Sequence, residues 1–367
     1  MNKTCVLWVS HEGNVSGANI AMLEFILKLN SYYEFIIIIP SLGSFCDLLK
    51  KNNIKYLLIA SYSWGLPSKP IIGFNTIKIL VRTIIAIFKL CTYVFKFKIN
   101  IIFTNTELPV IGAIAAKLTG KKHIWWIHEF GSEHFGYKIG WGNQKLAYKI
   151  MDITTDLIIC MSDALSDKYK TRVNTKVIRI YQPVSWPLLD NNNITKLGKY
   201  LIFGQISRSK GHLEVLKVLK VYIQEFPNQA GNILQIAGPC NDPEYLQELL
   251  DFIELNFLNN TVIINVGFVS KQAIIPKFDV LILASNWEGF GRVIIEANKA
   301  GLKVIVKNSG GAPELINYSN GIIYNDDNDL LNILRTDLKH NHTPIKLVYD
   351  ENDEIIRLLN SLSLIII

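Results

Sequence analysis

The sequence predicts an α/β fold made of two doubly wound, Rossmann-like domains. Short runs rich in Val and Ile alternate with longer helical patterns, a Pro- and Asn-rich stretch interrupts this alternation, and the alternation then resumes. Continuous apolar runs are typical of parallel strands buried on both faces, and strand–helix alternation is typical of doubly wound sheets. The chain has 367 residues, which suits two domains of roughly 150 residues each.

Each domain is predicted from its own set of strand-like runs. In the first half these are "CVLWVS", "FIIIIP", "YLLIAS", "IIFTNT", "HIWWIHE" and "DLIICMS", with helical patterns that include residues 18–30 and 108–118. In the second half they are "YLIFGQIS", "ILQIAG", "VIINVGF", "VLILAS" and "KVIVKN". We therefore predict a first domain over 1–182, a linker over 183–198 and a second domain over 199–345. The C-terminal segment 346–367 has an apolar end, which we expect to pack back on the first domain.

Composition and charge narrow the class of protein. Hydrophobic residues make up 49% and charged residues 19% of the chain, which favours packed cores over disorder. Residues 1–180 carry 22 Lys and Arg against 11 Asp and Glu, whereas residues 181–367 carry 16 against 20. A basic first half suggests an anionic partner: a phosphate-bearing substrate, a membrane surface or nucleic acid. Because no nucleic-acid-binding motif accompanies the charge, we expect no nucleic-acid partner.

The sequence also predicts a cytoplasmic protein without a membrane span. The five cysteines form no C-x-x-C pair, which fits reduced, buried thiols. The N-terminus is typical of a first strand and not of a signal peptide. The most apolar region, 71–97, is interrupted by Lys78, Arg82, Lys89 and Lys96, so no uncharged stretch there approaches the ~18 residues that a spanning helix needs.

Ligands of open α/β sheets bind beyond the carboxyl ends of the strands, so residues that directly follow strands are the candidates for a site. The first such loop is "SHEGNVSGAN", where Gly13 and Gly17 lead into a helix whose N-terminus can bind a phosphate. The glycine spacing is not G-x-G-x-x-G and no acid ends the second strand, which argues against an NAD enzyme. The alternative is an ordinary glycine-containing turn.

The second candidate loop is "IWWIHEFGSEHFG", in which His128 and Glu129 follow a strand. A histidine in this position can hydrogen-bond a sugar hydroxyl or a carbonyl, although a structural histidine with its bonds satisfied would look the same. The glycine-rich continuation, 131–142, is either part of an acceptor site or an ordinary surface loop.

The third loop is "FGQISRSKGHLEV", where Lys210 precedes a helix. A lysine at a helix N-terminus opposes the helix dipole unless an anion is present, and a bound diphosphate would resolve this conflict. Arg208 can add a forked donor to the same anion. The alternative is a solvated basic turn.

The fourth stretch is "SNWEGFGRVIIEANKAG". If a helix begins near Gly291, then Glu288 lies in the preceding loop and Glu296 in the second helical turn. A carboxylate can accept two hydrogen bonds from a vicinal diol such as a ribose. The alternative is a core helix whose two acids are incidental.

Together these stretches resemble the retaining glycosyltransferases of family 4. The resemblance rests on "GQISRSKG", "LQIAG", "INVGFV", "DVLILASNWEGFGRVIIEANKAGLKVIVKNSGGAPELI" and the "SGAN" after the first strand. It spans most of the chain and is stronger in the second domain. It implies the GT-B fold, in which two Rossmann-like domains face each other across a cleft, and a nucleotide-diphospho-sugar donor held mainly by the second domain.

The resemblance also implies roles for single residues. Glu288, His128 and Lys210 are the implied catalytic residues: Glu288 meets the donor sugar, His128 lies beside that sugar, and Lys210 neutralises the diphosphate. The implied donor-binding set is Gly17, Arg208, Lys210, Phe290, Gly291 and Glu296, with Glu296 on the ribose hydroxyls and the Phe290 and Gly291 amides near the diphosphate. No metal and no cofactor beyond the nucleotide-sugar co-substrate is implied.

One position departs from the family pattern. The family usually has an arginine directly after the strand glycine, and this chain has Gln205 there. Arg208 lies in the same loop and is the residue that could replace it. If it does not, stabilisation of the transition-state charge is weaker.

A predicted helix over 76–97 adds a hypothesis about membranes. Its cations form one stripe, and Leu80, Ile84, Ile87 and Val94 are expected on the opposite side. The basic domain is thus expected to contact an anionic inner leaflet and meet a lipid-diphosphate acceptor. The alternative is a buried helix with one solvated stripe.

The sequence therefore predicts a retaining glycosyltransferase that acts on a glycan or lipid-linked acceptor in the synthesis of a bacterial surface polysaccharide, O-antigen or capsule. Two alternatives stay open. One is a GT-B nucleotide-sugar epimerase, and the other is a non-catalytic nucleotide-sugar-binding partner of another transferase, which Gln205 leaves open.

Overall fold

The chain folds into two units, each built around one parallel β-sheet. The first unit comprises residues 1–183 and 350–367, and the second comprises residues 184–349. The computed structural model describes residues 3–61, 63–67, 74–187, 195–229, 231, 233–317, 320–336 and 348–366.

The first unit contains a seven-stranded parallel sheet with the order β3-β2-β1-β5-β6-β8-β9. Its strands are β1 (Thr4–Val9), β2 (Tyr33–Ile39), β3 (Lys55–Leu58), β5 (Ile101–Asn105), β6 (Lys122–Ile127), β8 (Leu157–Cys160) and β9 (Val177–Arg179). A small antiparallel pair joins β4 (Leu66–Pro67) to β7 (Tyr137–Lys138). The helices are α1 (Gly17–Leu29), α2 (Ser44–Lys51), α3 (Phe74–Lys96), α4 (Ile111–Thr119), α5 (Ser132–Phe135), α6 (Gln144–Thr154) and α7 (Asp163–Lys170).

The second unit contains a six-stranded parallel sheet with the order β12-β11-β10-β13-β14-β15. Its strands are β10 (Tyr200–Phe203), β11 (Leu234–Gly238), β12 (Val262–Val266), β13 (Val280–Leu283), β14 (Lys303–Lys307) and β15 (Gly321–Tyr324). Its helices are α8 (His212–Glu225), α9 (Pro243–Leu255), α10 (Lys271–Ile274), α11 (Arg292–Lys299) and α12 (Asp327–Arg335).

Each sheet has one point at which its strand order reverses. In the first unit β1 pairs with both β2 and β5, so the chain moves outward to one side and then returns to the other. In the second unit β10 pairs with both β11 and β13 in the same way. Crevices form beyond the strand ends at such switch points, where ligands of open α/β sheets bind.

The last helix, α13 (Glu351–Ile366), belongs to the first unit although the chain builds the second unit before reaching it. The buried carboxylate of Glu354 accepts hydrogen bonds from Arg179 Nη1 at 2.5 Å and from the backbone N–H of Tyr181 at 2.9 Å. Leu358 and Leu362 are buried on the same side of the helix. Helix α13 is therefore attached to the edge strand β9 by an ion pair, and it buries one apolar side.

Most predicted elements are present, with differences that have local causes. Helix α4 begins at Ile111 and not at Leu108, whose N–H donates to Thr106 Oγ1 in the preceding loop. The short strands β9 and β15 were not predicted, because runs of three and four partly exposed residues carry little periodic signal. Across the described residues, no helix combines the length and apolar character needed to cross a bilayer.

Helix α3 buries only part of the apolar face predicted for it. Ile87 and Val94 are buried as expected, but Leu80 and Ile84 are 47% and 44% exposed. The helix packs through a stripe that includes Leu90 and joins the core cluster containing α4 residues, and this stripe is narrower than the apolar surface of the helix. The side chain of Lys78, part of the predicted basic stripe, lies outside the described residues.

The buried ring of His123 provides a test of the packing inside the first unit. Burial lowers the pKa of His123 to about 3, whereas an unfolded chain protonates this side chain near its ordinary value of about 6.5. Between these values the unfolded state binds the extra proton, so stability falls as pH decreases, by up to about 1.4 kcal/mol per pH unit. We expect His123→Gln to flatten the pH dependence of urea unfolding between pH 6.5 and pH 4. An unchanged slope would contradict the burial of a neutral ring.

The ion pair of α13 provides a second test. Glu354→Ala leaves Arg179 and the Tyr181 N–H without their acceptor, so we expect the free energy of unfolding to fall by about 2 kcal/mol. The exposed neighbour Asp353 serves as the control, and Asp353→Ala should change stability much less. Urea unfolding followed by tryptophan fluorescence measures both. Equal stability of the two variants would show that Glu354 does not hold the helix in place.

Candidate functional site

The switch point of the second unit brings the loops after β10 and β13 together. The N–H of Asn286 donates to Ser209 O at 2.9 Å, which ties one loop to the other. Gly211 precedes α8 with φ of +70°, and a Cβ there would lie 2.2 Å from Ala284 O. Only glycine therefore lets α8 begin against the end of β13, and this close approach places Lys210 beside the β13 loop.

Lys210 and Glu288 form an ion pair at this switch point. Lys210 Nζ donates to Glu288 Oε2 at 2.8 Å, and the two side chains are 22% and 17% exposed. The Glu288 backbone is fixed from behind, because its carbonyl accepts from the Gly311 N–H at 2.7 Å and a Cβ on Gly310 would lie 2.3 Å from the same oxygen. A cation and a carboxylate thus lie side by side, both accessible to solvent.

Helix α11 begins directly after the Glu288 loop, at the position that the sequence predicted. Gly291 is its N-cap with φ of +92°, and no acidic side chain lies in the first turn. The helix N-terminus therefore keeps the partial positive charge of its orphan N–H groups. The Phe290 side chain is buried and lies edge-on to the ring of Tyr349, with the ring centroids 6.2 Å apart. Its backbone, and not its ring, is the part suited to a ligand.

Glu296 lies in the second turn of α11 and is only 4% exposed. Lys271 Nζ of α10 donates to Glu296 Oε1, and Arg292 Nη2 lies 3.9 Å from the same oxygen. We did not single out these two cations from the sequence. The contact of Arg292 could have been predicted from the sequence, because Arg292 precedes Glu296 by one helical turn on the same face of the helix. The contact of Lys271 could not have been predicted, because Lys271 and Glu296 are 25 residues apart in the sequence. Only its position shortly after a strand marked Lys271.

The Arg208 side chain makes its described contacts with α9 and with Asp242, the N-cap of that helix. Its Nη1 donates to Glu248 Oε2 at 2.6 Å, its Nε lies 3.8 Å from Asp242 Oδ2, and its guanidinium lies 4.8 Å from the centre of the Tyr245 ring. None of these partners belongs to the Lys210–Glu288 pair. Gln205 is exposed at the end of β10. In this arrangement the structure does not bring Arg208 to the pair.

The switch point of the first unit is formed by the loop after β1 and the ends of β5 and β6. Gly17 is the first residue of α1, it is exposed, and a Cβ there would meet no protein atom within 4 Å. The Ser16 side chain caps the helix by accepting from the Asn19 N–H. The space above Gly17 is therefore open, as the approach of a ligand to this backbone would require.

A chain of buried amides links this loop to His128. Asn105 Oδ1, at the end of β5, accepts from His128 Nε2 at 2.7 Å. The orientation of the Asn105 amide follows from its Nδ2, which donates to Ala18 O at 3.3 Å and to Asn19 Oδ1 at 3.4 Å. Ser10 Oγ donates to the same Asn19 oxygen at 2.8 Å. Since Asn105 Oδ1 can only accept, His128 Nε2 must carry the hydrogen, and on the neutral ring Nδ1 is the acceptor.

Asn105 and Asn19 were not among the residues singled out from the sequence. Asn105 carried a usable signal, because it is the polar last residue of a strand at the switch point. Asn19 carried none, since its side chain meets Asn105 across 86 positions of the chain.

Glu129 follows His128 and differs from it electrostatically. Burial raises the pKa of the Glu129 carboxyl to about 7, and the neighbouring Glu107 carboxyl adds to the shift. Glu107 is itself buried and accepts from the Tyr169 hydroxyl. The Glu129 carboxyl therefore keeps its proton to a higher pH than an ordinary glutamate does, and in that form it can donate a hydrogen bond as well as accept one. Among the described residues, no group of three or more His, Cys, Asp and Glu side chains is arranged to hold a metal ion.

The sequence of the second unit matches a known protein family. Residues 189–335 match the family described as "Glycosyl transferases group 1". This segment contains the Lys210–Glu288 pair, the N-terminus of α11 and Glu296.

Two curated relatives are similar over part of their length. One is a 2-deoxystreptamine N-acetyl-D-glucosaminyltransferase of Niallia circulans, 25% identical over 197 residues, which covers 52% of this chain and 49% of the relative. The other is an uncharacterised glycosyltransferase of Methanocaldococcus jannaschii, 24% identical over 252 residues, which covers 62% of this chain and 59% of the relative. In both cases the match covers less than two thirds of the relative.

Solved structures resemble the chain over nearly its whole length. Anabaena HepE in complex with UDP and glucose superposes with a TM-score of 0.75 at 19% identity, covering 98% of this chain and 99% of HepE. The lipopolysaccharide outer core galactosyltransferase WaaB, in its apo form, gives a TM-score of 0.63 at 16% identity, covering 97% and 95%. The predicted GT-B fold is thereby confirmed.

The amide chain provides a test of the first switch point. In protein labelled with ¹⁵N, we expect the Nε2–H proton of His128 to give a slowly exchanging resonance, because it is bonded to a buried oxygen. Asn105→Ala removes that acceptor, so the resonance should disappear while the ring N–H of His123, bonded between two threonine hydroxyls, persists. A His128 resonance that survives the substitution would contradict the assigned hydrogen bond.

Proposed function

We propose that the chain is a glycosyltransferase that moves a sugar from a nucleotide-diphospho-sugar to a hydroxyl of a glycan or lipid-linked acceptor, with retention of anomeric configuration. The observation that carries this proposal is the Lys210–Glu288 pair at the switch point of the second unit. The pair lies within the segment that matches the glycosyl transferases group 1 family. The similarity to HepE, whose structure contains UDP and glucose, supports a nucleotide-sugar donor.

The diphosphate is proposed to bind beside Lys210 and the N-terminus of α11, through the backbone around Phe290 and Gly291. A helix N-terminus and a lysine ammonium both favour a multiply charged anion. The ribose is proposed to bind Glu296, whose carboxylate must then turn from Lys271 toward the two hydroxyls. In the first unit, the open backbone at Gly17 is proposed to contact a phosphate group, and the ring of His128 is proposed to contact a sugar hydroxyl.

The proposed reaction breaks the bond between the anomeric carbon and the diphosphate oxygen. The acceptor oxygen forms its bond to the same face of that carbon, and its proton passes to the departing diphosphate. Lys210 stabilises the charge that develops on the leaving group, and Glu288 holds both Lys210 and the sugar in position. No metal is proposed, since the ammonium and the helix N-terminus supply the positive charge for the diphosphate.

The acceptor is proposed to belong to a bacterial surface polysaccharide such as O-antigen or capsule. The structural similarity to WaaB supports this direction. A lipid-diphosphate-linked acceptor would place the reaction at the cytoplasmic side of the plasma membrane, and the basic first half of the chain fits contact with anionic lipid there.

A second candidate function is a non-catalytic nucleotide-sugar-binding partner of another transferase. The position of Arg208 favours it, because the guanidinium binds Glu248 while the exposed Gln205 stands where the resembled family usually has an arginine. Such a protein would bind the nucleotide sugar and never turn it over. Turnover of the nucleotide sugar by the native chain separates the two functions, since a binding protein has none. If the native chain turns the donor over, Arg208→Lys tests the arginine: a transferase that uses the guanidinium loses turnover in this variant.

The two glutamates should differ in their effects. We expect Glu296→Gln to weaken nucleotide-sugar binding by roughly 10- to 100-fold, because a charge-assisted hydrogen bond contributes about 1.5–3 kcal/mol. Glu288→Gln should mainly lower the rate of transfer or donor hydrolysis, and Lys210→Ala should lower both affinity and rate. Calorimetric titration with UDP, GDP and dTDP sugars measures affinity, and release of the nucleotide diphosphate measures rate.

Glu254→Gln, an exposed substitution in the same unit, is the matched control and should leave both quantities unchanged. Equal losses of affinity for Glu288→Gln and Glu296→Gln, with no effect on rate, would contradict the division of roles. Tight binding without turnover on any lipid-linked acceptor would favour the second candidate function.

A further inference from the structure

The outer side of α3 exposes an unusual set of apolar side chains. Single exposed hydrophobics are ordinary on protein surfaces, but a contiguous apolar patch marks an interaction site. Six large apolar side chains of this one helix are between 44% and 67% exposed: Leu80, Val81, Ile84, Ile85, Phe88 and Phe95. We call these six residues the α3 apolar face.

Helical geometry shows that the face is continuous and that cations line one edge of it. At about 100° per residue, the six side chains centre on one direction, and the exposed cations Arg82, Lys89 and Lys96 centre about 110° round the helix from it. The side that packs inward, which includes Leu90 and Val94, lies about 130° from the apolar face and about 120° from the cations. The helix thus has three sectors: one buried in the core, one exposed and apolar, and one exposed and basic.

The surrounding sequence strengthens the basic sector. Residues 48–106 contain nine Lys and Arg and no Asp or Glu. Strand β3 lies beside this part of the helix: Lys89 Nζ of α3 donates to Leu58 O at 3.4 Å, and Lys55 Nζ of β3 lies 4.1 Å from the centre of the Phe97 ring. A surface that complements this region must therefore be apolar at its centre and anionic at its margin.

We propose that the α3 apolar face inserts into the interfacial zone of an anionic lipid bilayer, with Arg82, Lys89 and Lys96 at the level of the lipid phosphates. An amphipathic helix that lies in the membrane plane buries its apolar side at the boundary between headgroups and acyl chains, and flanking lysines extend toward phosphate. A second copy of the chain is disfavoured as the occupant, because pairing two such faces would bring the two sets of cations together. An acidic protein partner would satisfy the charges but requires a groove for Phe88 and Phe95, whereas a bilayer fits any convex apolar surface.

This surface does not depend on the proposed transferase activity, so it can be tested without nucleotide sugar or acceptor. The intact chain is sedimented with phosphatidylcholine vesicles that contain about one third phosphatidylglycerol, and with pure phosphatidylcholine vesicles, at low and high salt. We expect binding to the mixed vesicles that is at least tenfold stronger than binding to the neutral ones, and a marked decrease as salt screens the cations.

Two double variants separate the apolar and basic contributions. Ile85→Gln with Phe88→Gln removes apolar area from exposed helix positions that glutamine tolerates, and we expect partitioning to fall about tenfold or more. Arg82→Gln with Lys89→Gln removes two charges, each expected to contribute about fivefold. The matched control is Leu255→Gln with Phe268→Gln, two apolar side chains of the second unit that are 77% and 89% exposed, which should leave binding unchanged. Far-UV circular dichroism checks that each variant is folded.

Three results would overturn the proposal. The first is native protein that stays in the supernatant with mixed vesicles at low salt. The second is unchanged partitioning of the Ile85 and Phe88 double variant, which would show that the protein binds by electrostatic contact only and that the apolar face does not insert. The third is a native dimer in analytical ultracentrifugation that this same variant converts to monomer, which would assign the face to a second copy of the chain.

Discussion

The burial of parallel strands on both faces is the constraint on which the rest of this structure depends. When helices cover a strand on both sides, a charged side chain in its middle would be buried away from water at a high cost in free energy. The charged and polar residues that bind ligands therefore lie at or beyond the strand ends. His128 directly follows β6, Asn105 is the last residue of β5, and Glu288 lies five residues beyond β13. The reversal of strand order then decides which of these loops meet. In both units the candidate residues surround that reversal, and glycines such as Gly211 and Gly310 allow the loops to approach closely.

Much of this arrangement could be predicted from the sequence because its causes are local. Apolar runs of four to seven residues identified the strands of the two sheets except β9 and β15, and a glycine after an apolar run located the start of α11. The rule that ligands bind beyond strand ends then selects Lys210 and Glu288 from the sequence alone. The GT-B fold followed from the same repeated pattern together with the family resemblance.

The remaining features could not be predicted because they depend on contacts between distant parts of the chain. The bond from Lys271 to Glu296, and the amide chain from Ser10 to His128, join residues whose neighbourhood only the folded sheet defines. Helix α3 shows a different limit. Its sequence is apolar on nearly every side, so periodicity identifies a helix but cannot say which apolar sector the core covers. The core covers Ile87, Leu90 and Val94 and leaves Phe88 and Phe95 outside.

The order of elements along the chain has a consequence for biosynthesis. A ribosome makes β9 long before it makes α13, and the whole second unit emerges between them. Until Glu354 emerges, Arg179 and the Tyr181 N–H lack the acceptor that they have in the finished protein, and the apolar sites of Leu358 and Leu362 are empty. The nascent first unit is therefore incomplete throughout synthesis of the second. Because nascent domains generally fold from the N-terminus onward, this one finishes last despite starting first.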